Sequence, residues 1–261
     1  QRGVRVLLDG QGADELLAGY HPYFDSYWGS LLLQGSLPGL MHEWSAYHNN
    51  NQVSYWHLMR HTLFSIAPTL IQKQFRAMRG SIGVQADFHA KYRSRYPVEG
   101  IKYGEDMFSQ RLYQALVHSS LPALLRYEDR NSMASSIEAR VPFLDHRLVE
   151  FIFSLPKEQK IREGKTKIIL RNSMNGILPE PIRLRKDKMG FVTPESIWMS
   201  NELQGWLDDI LNSKSFRENP YMDVKAVPQL IADHRSKKRP LGSVMWRWIN
   251  LELWRTQILS I

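Results

Sequence analysis

The spacing of apolar residues predicts one short strand at the start of the chain and a mostly helical body after it. Residues 4–8 form an apolar, β-branched run that is typical of a buried strand. Two glycines in residues 9–12 indicate a tight turn, and a helix is predicted from Ala13 until Gly19 ends or interrupts it. We expect the partners of this strand to lie in sequence outside the chain, because a lone strand leaves backbone groups unpaired.

Helical periodicity covers most of the remaining residues. Helices are predicted at residues 20–34, 68–78, 104–119, from Pro122 onward, and at 145–155, 165–177, 198–211, 221–234 and 243–259. Residues 79–99 and 156–164 are predicted as loops. In the last helix, Trp246, Ile249 and Leu253 form one apolar stripe. The pattern therefore predicts a mostly α-helical chain with little parallel sheet.

Composition is that of an ordinary globular protein, with 43% hydrophobic and 23% charged residues among 261. No apolar run approaches the roughly 18 residues that a membrane span needs. The absence of cysteine excludes disulfides, thiolate zinc sites and cysteine nucleophiles within the chain, and fits a cytoplasmic location. The chain has neither a signal-peptide layout nor an initiator methionine, so we expect it to be a piece of a longer protein.

The formal net charge is +8, which raises the question of nucleic-acid binding. Basic residues are dispersed, apart from clusters at residues 183–188 and 235–239. A non-catalytic basic module that binds nucleic acid is therefore a disfavoured alternative. A surface excess of lysine and arginine, or a site for a polyanionic nucleotide, explains the charge better.

The turn after the first strand is the first candidate for chemistry. A helix N-terminus offers free N–H groups and a partial positive charge, and glycines let a phosphate approach the backbone closely. Asp9, Asp14 and Glu15 add carboxylates, which beside a phosphate indicate Mg²⁺. In the alternative interpretation, Asp14 and Glu15 only complement the helix dipole and the glycines only make the turn.

Two later segments are also rich in charge. In the first, residues 124–145, Asp129 is a candidate to face the site, whereas Glu138, Arg140 and Asp145 are expected to form an internal ion-pair network. The second, residues 183–191, is a basic loop ending in a glycine turn. Such a loop can place an ammonium group against a phosphate or an oxyanion, or simply be solvated.

Three motifs now combine into a family resemblance. Residues 7–20, L-L-D-G-Q-G-A-D-E-L-L-A-G-Y, closely resemble the S-G-E-G-x-D-E-x-x-G-G-Y stretch of glutamine-hydrolysing asparagine synthetases. Residues 132–145 resemble that family's S-M-A…E-x-R-x-P-F-L-D signature, and residues 188–191 its K-x-G-F segment. The three motifs follow the family's order and span most of the chain.

The resemblance implies an α/β fold of the adenine nucleotide α-hydrolase type, with a P-P loop of the ATP pyrophosphatases. It makes residues 1–261 the C-terminal portion of the synthetase domain, lacking the S-G-G-x-D-S loop and the N-terminal glutaminase domain. In this family ATP and Mg²⁺ convert aspartate to β-aspartyl-AMP, and ammonia from glutamine then gives asparagine. The implied partners are these small molecules and the glutaminase domain of the parent chain, and a homodimer is left open.

The resemblance also implies roles for individual residues. Asp9 and Gly10 match positions that lie against ATP. The catalytic positions are Gln11, Glu15 and Lys188. Asp14 and Asp129 match positions near substrate or pyrophosphate, and Asp14 is the candidate magnesium ligand.

Two departures from the family pattern affect the chemistry. Asp9 stands where the family has serine, and Gln11 where it has glutamate. An amide cannot act as a general base, although it can hydrogen-bond. A related synthetase that forms an amide or lactam on another carboxylate is therefore the alternative function. We expect the isolated chain to be inactive, since the groups that hold the triphosphate are missing.

Overall fold

The computed structural model describes residues 3–67, 71, 82–92, 106–186, 194–239, 241 and 243–259. The elements of the described part are, in chain order, β1 (Val6–Leu8), α1 (Ala13–Leu16), α2 (Pro22–Leu33), α3 (Leu37–Asn51), α4 (Tyr55–Ile66), α5 (Ala86–Tyr92), α6 (Met107–Gln114), α7 (Leu121–Met133), β2 (Glu138–Arg140), α8 (His146–Ser154), β3 (Ile161–Arg162), β4 (Lys165–Thr166), α9 (Ile168–Ser173), α10 (Glu180–Arg183), α11 (Glu195–Ser200), α12 (Gln204–Asn212), α13 (Lys214–Arg217), α14 (Val227–Arg235) and α15 (Val244–Leu253). The chain is thus mostly helical with a small parallel sheet, as the sequence predicts.

The parallel sheet consists of β1 and β2. Val6 lies opposite Glu138, and Leu8 lies opposite Arg140. The ladder continues past β1, because the amide of Asp9 donates to the carbonyl of Arg140 at 2.8 Å. The expectation that the partners of the first strand lie outside this chain is therefore wrong for one edge. No apolar run indicates β2, since two of its three residues, Glu138 and Arg140, are charged, and both are exposed.

The apolar side chains of β1 are incompletely covered in the described structure. Val6 is 39% exposed and Leu8 is 74% exposed. A β-branched, apolar strand is normally buried on at least one face. The two-stranded sheet therefore leaves apolar surface that a larger sheet with covering helices would bury.

A second sheet is the hairpin of β3 and β4, in which Ile161 pairs with Thr166. Its turn has positive φ at both Glu163 (52°) and Gly164 (66°), the combination that a two-residue hairpin turn needs. The loop predicted at residues 156–164 is therefore wrong from Ile161 onward. Glu–Gly is a weaker turn signal than Asn–Gly or Asp–Gly, which explains why the hairpin was not predicted.

The described residues fall into two compact units, the first made of Gln1–Pro68 and Pro97–Lys188 and the second of Thr69–Tyr96 and Met189–Ile261. The core of the first unit is aromatic and forms around α2. Phe24 and Trp28 are nearly fully buried, and each packs edge-on against Tyr47 of α3, with ring centroids 4.6 and 5.0 Å apart. A smaller cluster, Leu16, Leu17 and Ile152, lies beneath the first turn and fixes α1 against α8.

The core of the second unit forms around α14 and α15. Met245, Trp248 and Ile249 are its buried residues on α15. The predicted stripe was correct for Ile249 but wrong for Trp246, which is 41% exposed. Trp248 replaces it in the core, and its indole N–H donates to the carbonyl of Ile82 at 3.1 Å.

Other predicted helices hold with shifted ends. The helix predicted at residues 165–177 is wrong at its start, because Lys165 and Thr166 form β4 and the helix α9 begins at Ile168. The helix from Pro122 is confirmed, since α7 carries Pro122 in its first turn. The loop predicted at residues 79–99 is wrong over α5, and the helix predicted at 198–211 is divided between α11 and α12. The helix predicted at residues 68–78 lies outside the described residues except for residue 71. Within the described chain, every helix is too short or too polar to cross a membrane.

Candidate active site

The turn between β1 and α1 is built on Gly12. This residue has φ of +89°, and an added Cβ would lie 2.3 Å from Leu144 Cδ2. Both facts require glycine, because an L side chain would be strained in this conformation and would collide with Leu144. Gly10, in contrast, is exposed, and an added Cβ would meet nothing within 4 Å. The backbone at Gly10 is therefore open to a ligand, as a phosphate-binding turn requires.

Glu15 lies completely buried on α1, with no exposed surface. Its Oε1 accepts hydrogen bonds from the Tyr20 hydroxyl at 3.0 Å and from the Ser120 hydroxyl at 2.6 Å. Burial, followed by the charges of Glu15 and Asp14, raises the pKa of Tyr20, so this phenol stays protonated as a donor. Glu15 Oε2 is buried and has no hydrogen-bond partner in the described structure. Glu15 thus ties α1 to the start of α7, and its catalytic role stays a prediction.

Asp14 forms an ion pair with Lys167, whose Nζ lies 2.6 Å from Asp14 Oδ1. Lys167 has a φ of +58°, and its amide donates to the carbonyl of Leu17 at 3.1 Å. Gly19 makes room for the pair, since a Cβ there would lie 1.9 Å from Asp14 Oδ1. The basic partner of Asp14 therefore comes from the segment just after the hairpin.

This ion pair bears on the predicted magnesium site. A cation on Asp14 Oδ1 would compete with Lys167, and no group of three or more His, Asp or Glu side chains among the described residues is placed to hold a metal. Magnesium commonly takes only one or two protein carboxylates together with substrate phosphates. The residues present do not form a protein-only magnesium site, and coordination by Asp14 stays a prediction.

A carboxyl pair lies at the end of β1. The side chain of Asp9, followed by burial, raises the pKa of Glu128 on α7. A hydrogen bond from Gln11 acts in the opposite direction. Asp9, Gln11 and Glu128 therefore form one cluster beside the open backbone of Gly10.

The remaining predicted residues are less informative. Asp129 is exposed, one position after Glu128, and its backbone carbonyl accepts from the Ser132 hydroxyl at 3.2 Å. Lys188 lies outside the described residues, so its distance from the turn stays open. Two positions earlier, Lys186 donates to Asn50 Oδ1 at 2.8 Å.

The expected ion-pair network of residues 138–145 is only partly correct. Arg140 pairs with Glu138 at 2.8 Å, but both side chains are exposed and belong to the same strand. Asp145 caps α8 by accepting from the amide of Arg147, and it also pairs with that guanidinium. This contact holds the pKa of Asp145 far below its usual range. These are local surface contacts rather than a network holding two helices.

Two residues of the site were not identified from the sequence, Glu128 and Lys167. For Glu128, the family resemblance indicates its neighbour Asp129 instead, and sequence alone does not say which face of α7 packs against the sheet. Lys167 was assigned to a predicted helix as one of several basic residues. Its position after a Glu–Gly turn was the available signal.

Comparison with known proteins gives a consistent result. A family model described as asparagine synthase matches residues 1–256. The chain is 33% identical over 133 residues to asparagine synthetase 1 of Bacillus subtilis, covering 51% of this chain and 21% of that protein. It is 28% identical over 263 residues to a Mycobacterium bovis protein described as an asparagine synthetase, covering 97% of this chain and 39% of that protein.

A third relative carries a different name. The amidase chyE of Penicillium rubens is 25% identical over 126 residues, covering 46% of this chain and 19% of that protein. No solved structure matches the chain significantly. The chain spans less than two fifths of the length of each of these three relatives. Since the family match extends over nearly all of its residues, the chain belongs to the asparagine synthase family.

Proposed function

We propose that this chain is the C-terminal portion of the synthetase domain of a glutamine-hydrolysing asparagine synthetase. The parent protein would use ATP to convert aspartate to β-aspartyl-AMP, and ammonia from glutamine would then displace AMP to give asparagine. The two relatives named as asparagine synthetases support this proposal. Their greater length leaves room for a P-P loop and a glutaminase domain outside this chain.

The fold supports the same assignment. The family domain is expected to have the adenine nucleotide α-hydrolase fold, in which a parallel sheet is covered by helices. Here two parallel strands leave Val6 and Leu8 exposed. Further strands and helices from the rest of a synthetase domain would cover this apolar surface.

The observation that carries the proposal is the convergence of three sequence-distant segments at the end of β1. The turn presents the open backbone of Gly10, α7 contributes Glu128 next to Asp9 and Gln11, and Lys167 reaches Asp14. An open turn with polar groups around it is suited to nucleotide phosphates and a substrate amine. Asp129 and Lys188 keep their proposed places near the substrate and the phosphates.

Product analysis of the full-length parent protein tests the proposal. With ATP, Mg²⁺, glutamine and aspartate, we expect AMP and pyrophosphate to form only when aspartate is present. We also expect one asparagine for each AMP. ADP and phosphate as products, or AMP formation that does not depend on an amino acid, would reject an acyl-adenylate synthetase.

A second candidate is an amide- or lactam-forming synthetase that acts on another carboxylate. Gln11 and Asp9 favour it, since both depart from the asparagine synthetase pattern. The amidase among the relatives shows that related sequences carry other names. A pyrophosphate-release screen across amino acids and peptide carboxylates decides between the two. If aspartate turns over best, the second candidate is wrong.

A further inference from the structure

The second unit contains a cavity of about 330 Å³ between α12 and α14. Sites for small ligands are commonly clefts of about 300–1,000 Å³ lined mostly by apolar side chains with a few polar groups. Phe216, Val227 and Ile231 belong to the core of this unit, so the floor of the cavity is the core itself. The complete apolar lining is Leu211, Phe216, Val224, Val227, Pro228 and Ile231. The volume and the lining therefore suit a small ligand with an apolar body.

The polar part of the lining carries one positive charge that lacks an acidic partner. Asp208 on α12 and Arg235 on α14 form an ion pair at 2.7 Å, so their charges compensate each other. Arg217 on α13 has only Asn212 Oδ1, at 3.5 Å from its Nη2, which is the outer limit of a hydrogen bond. In the part of the chain that the structure describes, no carboxylate pairs with Arg217. The cavity is thus suited to a ligand with a negative charge.

Arg217 lies on a helix that is fixed in place without a ligand. The hydroxyl of Ser215 donates to the buried carboxylate of Glu252 on α15. Ser213 caps α13 by accepting from the amide of Phe216 at 3.1 Å, and Phe216 is buried in the core. Because α13 is already anchored, a ligand at Arg217 would not have to order this helix, and such preorganisation lowers the cost of binding.

The charges and the apolar lining together limit the class of ligand. A guanidinium binds a carboxylate through two parallel N–H···O bonds, which gives both strength and direction. Burial of an apolar body on the six apolar side chains adds a hydrophobic contribution. A nucleotide would bring several negative charges and a polar sugar to a cavity with one uncompensated cation and a mostly apolar lining. A single carboxylate on an apolar body matches both features.

We propose that this cavity binds a small monocarboxylate with an apolar body, with Arg217 as the group that holds the carboxylate. The body of the ligand then lies on the apolar floor that includes Phe216 and Ile231. This binding site goes beyond the proposed function and is independent of it, because the lining contains no residue of the turn after β1.

The test uses 3-phenylpropionate as the probe and the full chain with isotope-labelled methyl groups of leucine, valine and isoleucine. Titration followed by NMR should give saturable shifts at the methyls of Leu211, Val224, Val227 and Ile231, with a Kd of about 1 mM or lower. 3-Phenylpropanol has nearly the same body without the charge, and acetate has the carboxylate without the body. We expect each of them to bind at least about tenfold more weakly than 3-phenylpropionate.

Two variants test the role of Arg217. Arg217→Gln removes the cation, and we expect the affinity for 3-phenylpropionate to fall by at least about tenfold, while that for 3-phenylpropanol changes by less than about threefold. The matched control is Lys214→Gln, which removes a positive charge from an exposed residue of the same helix that does not line the cavity. It should leave both affinities within about threefold of the wild type. The methyl spectrum of each variant without ligand checks that the fold is retained.

Every result supports or overturns the proposal. Shifts that do not saturate, or that spread over methyls outside the cavity lining, would show that the cavity is not a binding site. Equal affinities for 3-phenylpropionate and 3-phenylpropanol, or an unchanged affinity in Arg217→Gln, would overturn the assigned recognition of a carboxylate. If acetate binds as tightly as 3-phenylpropionate, Arg217 attracts small anions at the surface and the apolar floor takes no part, which also overturns the proposal.

Discussion

Gly10 and Gly19 lie on either side of α1 but have different surroundings. An added Cβ at Gly10 meets nothing within 4 Å, whereas one at Gly19 would lie 1.9 Å from Asp14 Oδ1 and 2.7 Å from Lys167 Cε. We expect Gly19→Ala to destabilise the chain by about 1–3 kcal/mol, because it overpacks the half-buried contact between Asp14 and Lys167. We expect Gly10→Ala to stay within about 0.5 kcal/mol of the wild type and to act on nucleotide binding instead.

Chemical denaturation of the chain and calorimetric titration of ATP into the full-length protein measure the two effects. Asp14→Ala in combination with Gly19→Ala serves as the control. If the cost of Gly19→Ala comes from the contact with Asp14, the double variant is more stable than the sum of the single changes predicts. Additive losses would show that the contact is not the cause.

The buried carboxylate of Glu15 gives a second prediction at this scale. It has two donors, Ser120 and Tyr20, both on Oε1. Ser120→Ala removes one of them, and because the acceptor is a buried carboxylate, we expect a loss of about 1–3 kcal/mol. The matched control is Ser119→Ala, since the exposed Ser119 hydroxyl only donates to the carbonyl of Gln114. Equal unfolding free energies for the two variants would contradict the assigned role of Glu15.

Among the elements, the β3–β4 hairpin depends on a side chain from another helix. The carboxylate of Glu43 on α3 is buried and accepts the amide protons of Glu163 at 3.0 Å and Gly164 at 3.3 Å. Glu43→Gln replaces one acceptor with an NH₂ group that faces a backbone N–H. We expect a cost of about 1–3 kcal/mol and faster hydrogen exchange at these two amides.

The hairpin experiment has a control in the same turn. The exposed carboxylate of Glu163 lies 3.6 Å from the exposed guanidinium of Arg162, and such surface ion pairs contribute little stability. Glu163→Gln should therefore change stability by less than about 0.5 kcal/mol. The position of Lys167 depends on this hairpin, which ends one residue before it. If amide exchange at residues 163 and 164 is the same in Glu43→Gln and the wild type, Glu43 does not hold the turn.

Many of the helices and the first strand could be predicted because their signals are local, although no helix was predicted over α3 or α4 and a loop was predicted over α5. Apolar spacing, Pro122 in the first turn of α7 and the glycines after β1 each act within a few residues. The strand β2 and the hairpin could not be predicted, since their stability comes from partners distant in sequence: β1 for the first and Glu43 for the second. A short polar segment such as E-A-R carries no periodicity of its own.

The residues of the candidate site could also be predicted only where their signal is local. The motif of residues 9–15 identified the turn and its carboxylates, because those residues are neighbours along the chain. It did not distinguish the buried Glu15 from the half-buried Asp14, since both are acidic residues in one short helix. Glu128 and Lys167 join the site only through the packing of α7 and the hairpin, which no local pattern encodes.

For the whole molecule, the two units differ in how their stability responds to pH. In the second unit, Glu252 is buried and accepts hydrogen bonds from Ser215, from Asn219 at 2.8 Å and from Arg255 at 2.8 Å. Burial alone would raise the pKa of Glu252, but these bonds, chiefly that from Arg255, hold it below the usual 4.5. A lowered pKa contributes stability that is present above pH 4.5 and is lost as the pH falls through the folded value.

We therefore expect acidification to destabilise the second unit through Glu252. The difference in unfolding free energy between the wild type and Glu252→Gln should shrink as the pH falls from about 6 to about 3, since the protonated carboxyl resembles the amide. Hydrogen exchange of peptides from α13 and α15 locates the effect. A constant difference across this range would show that the native pKa of Glu252 is not lowered.

In the first unit, Lys160 makes stability depend on pH in the alkaline range. Its ammonium group is buried and donates to the carbonyl of Leu155 at 2.6 Å. Burial, only partly offset by Asp106 and Glu158, lowers the pKa of Lys160 from 10.5 to about 8. Between pH 8 and pH 10.5 the unfolded chain binds more protons at Lys160 than the folded chain, so stability rises with pH. Below pH 8 Lys160 is protonated in both the folded and the unfolded chain, and the cost of burying its charge is fully present.

Lys160→Met isolates this contribution, because methionine fills a similar volume and does not titrate. Relative to the variant, the wild type should gain up to about 3 kcal/mol between pH 8 and pH 10.5. The experiment compares the unfolding free energies of the wild type and the variant, because other groups also titrate above pH 10. Burial raises the pKa of Tyr23 and Tyr27, so ionisation of these phenols in the unfolded chain lowers stability in both proteins. Stability curves that run parallel through this window would mean that Lys160 keeps its ordinary pKa and that its ammonium is effectively hydrated in the folded chain.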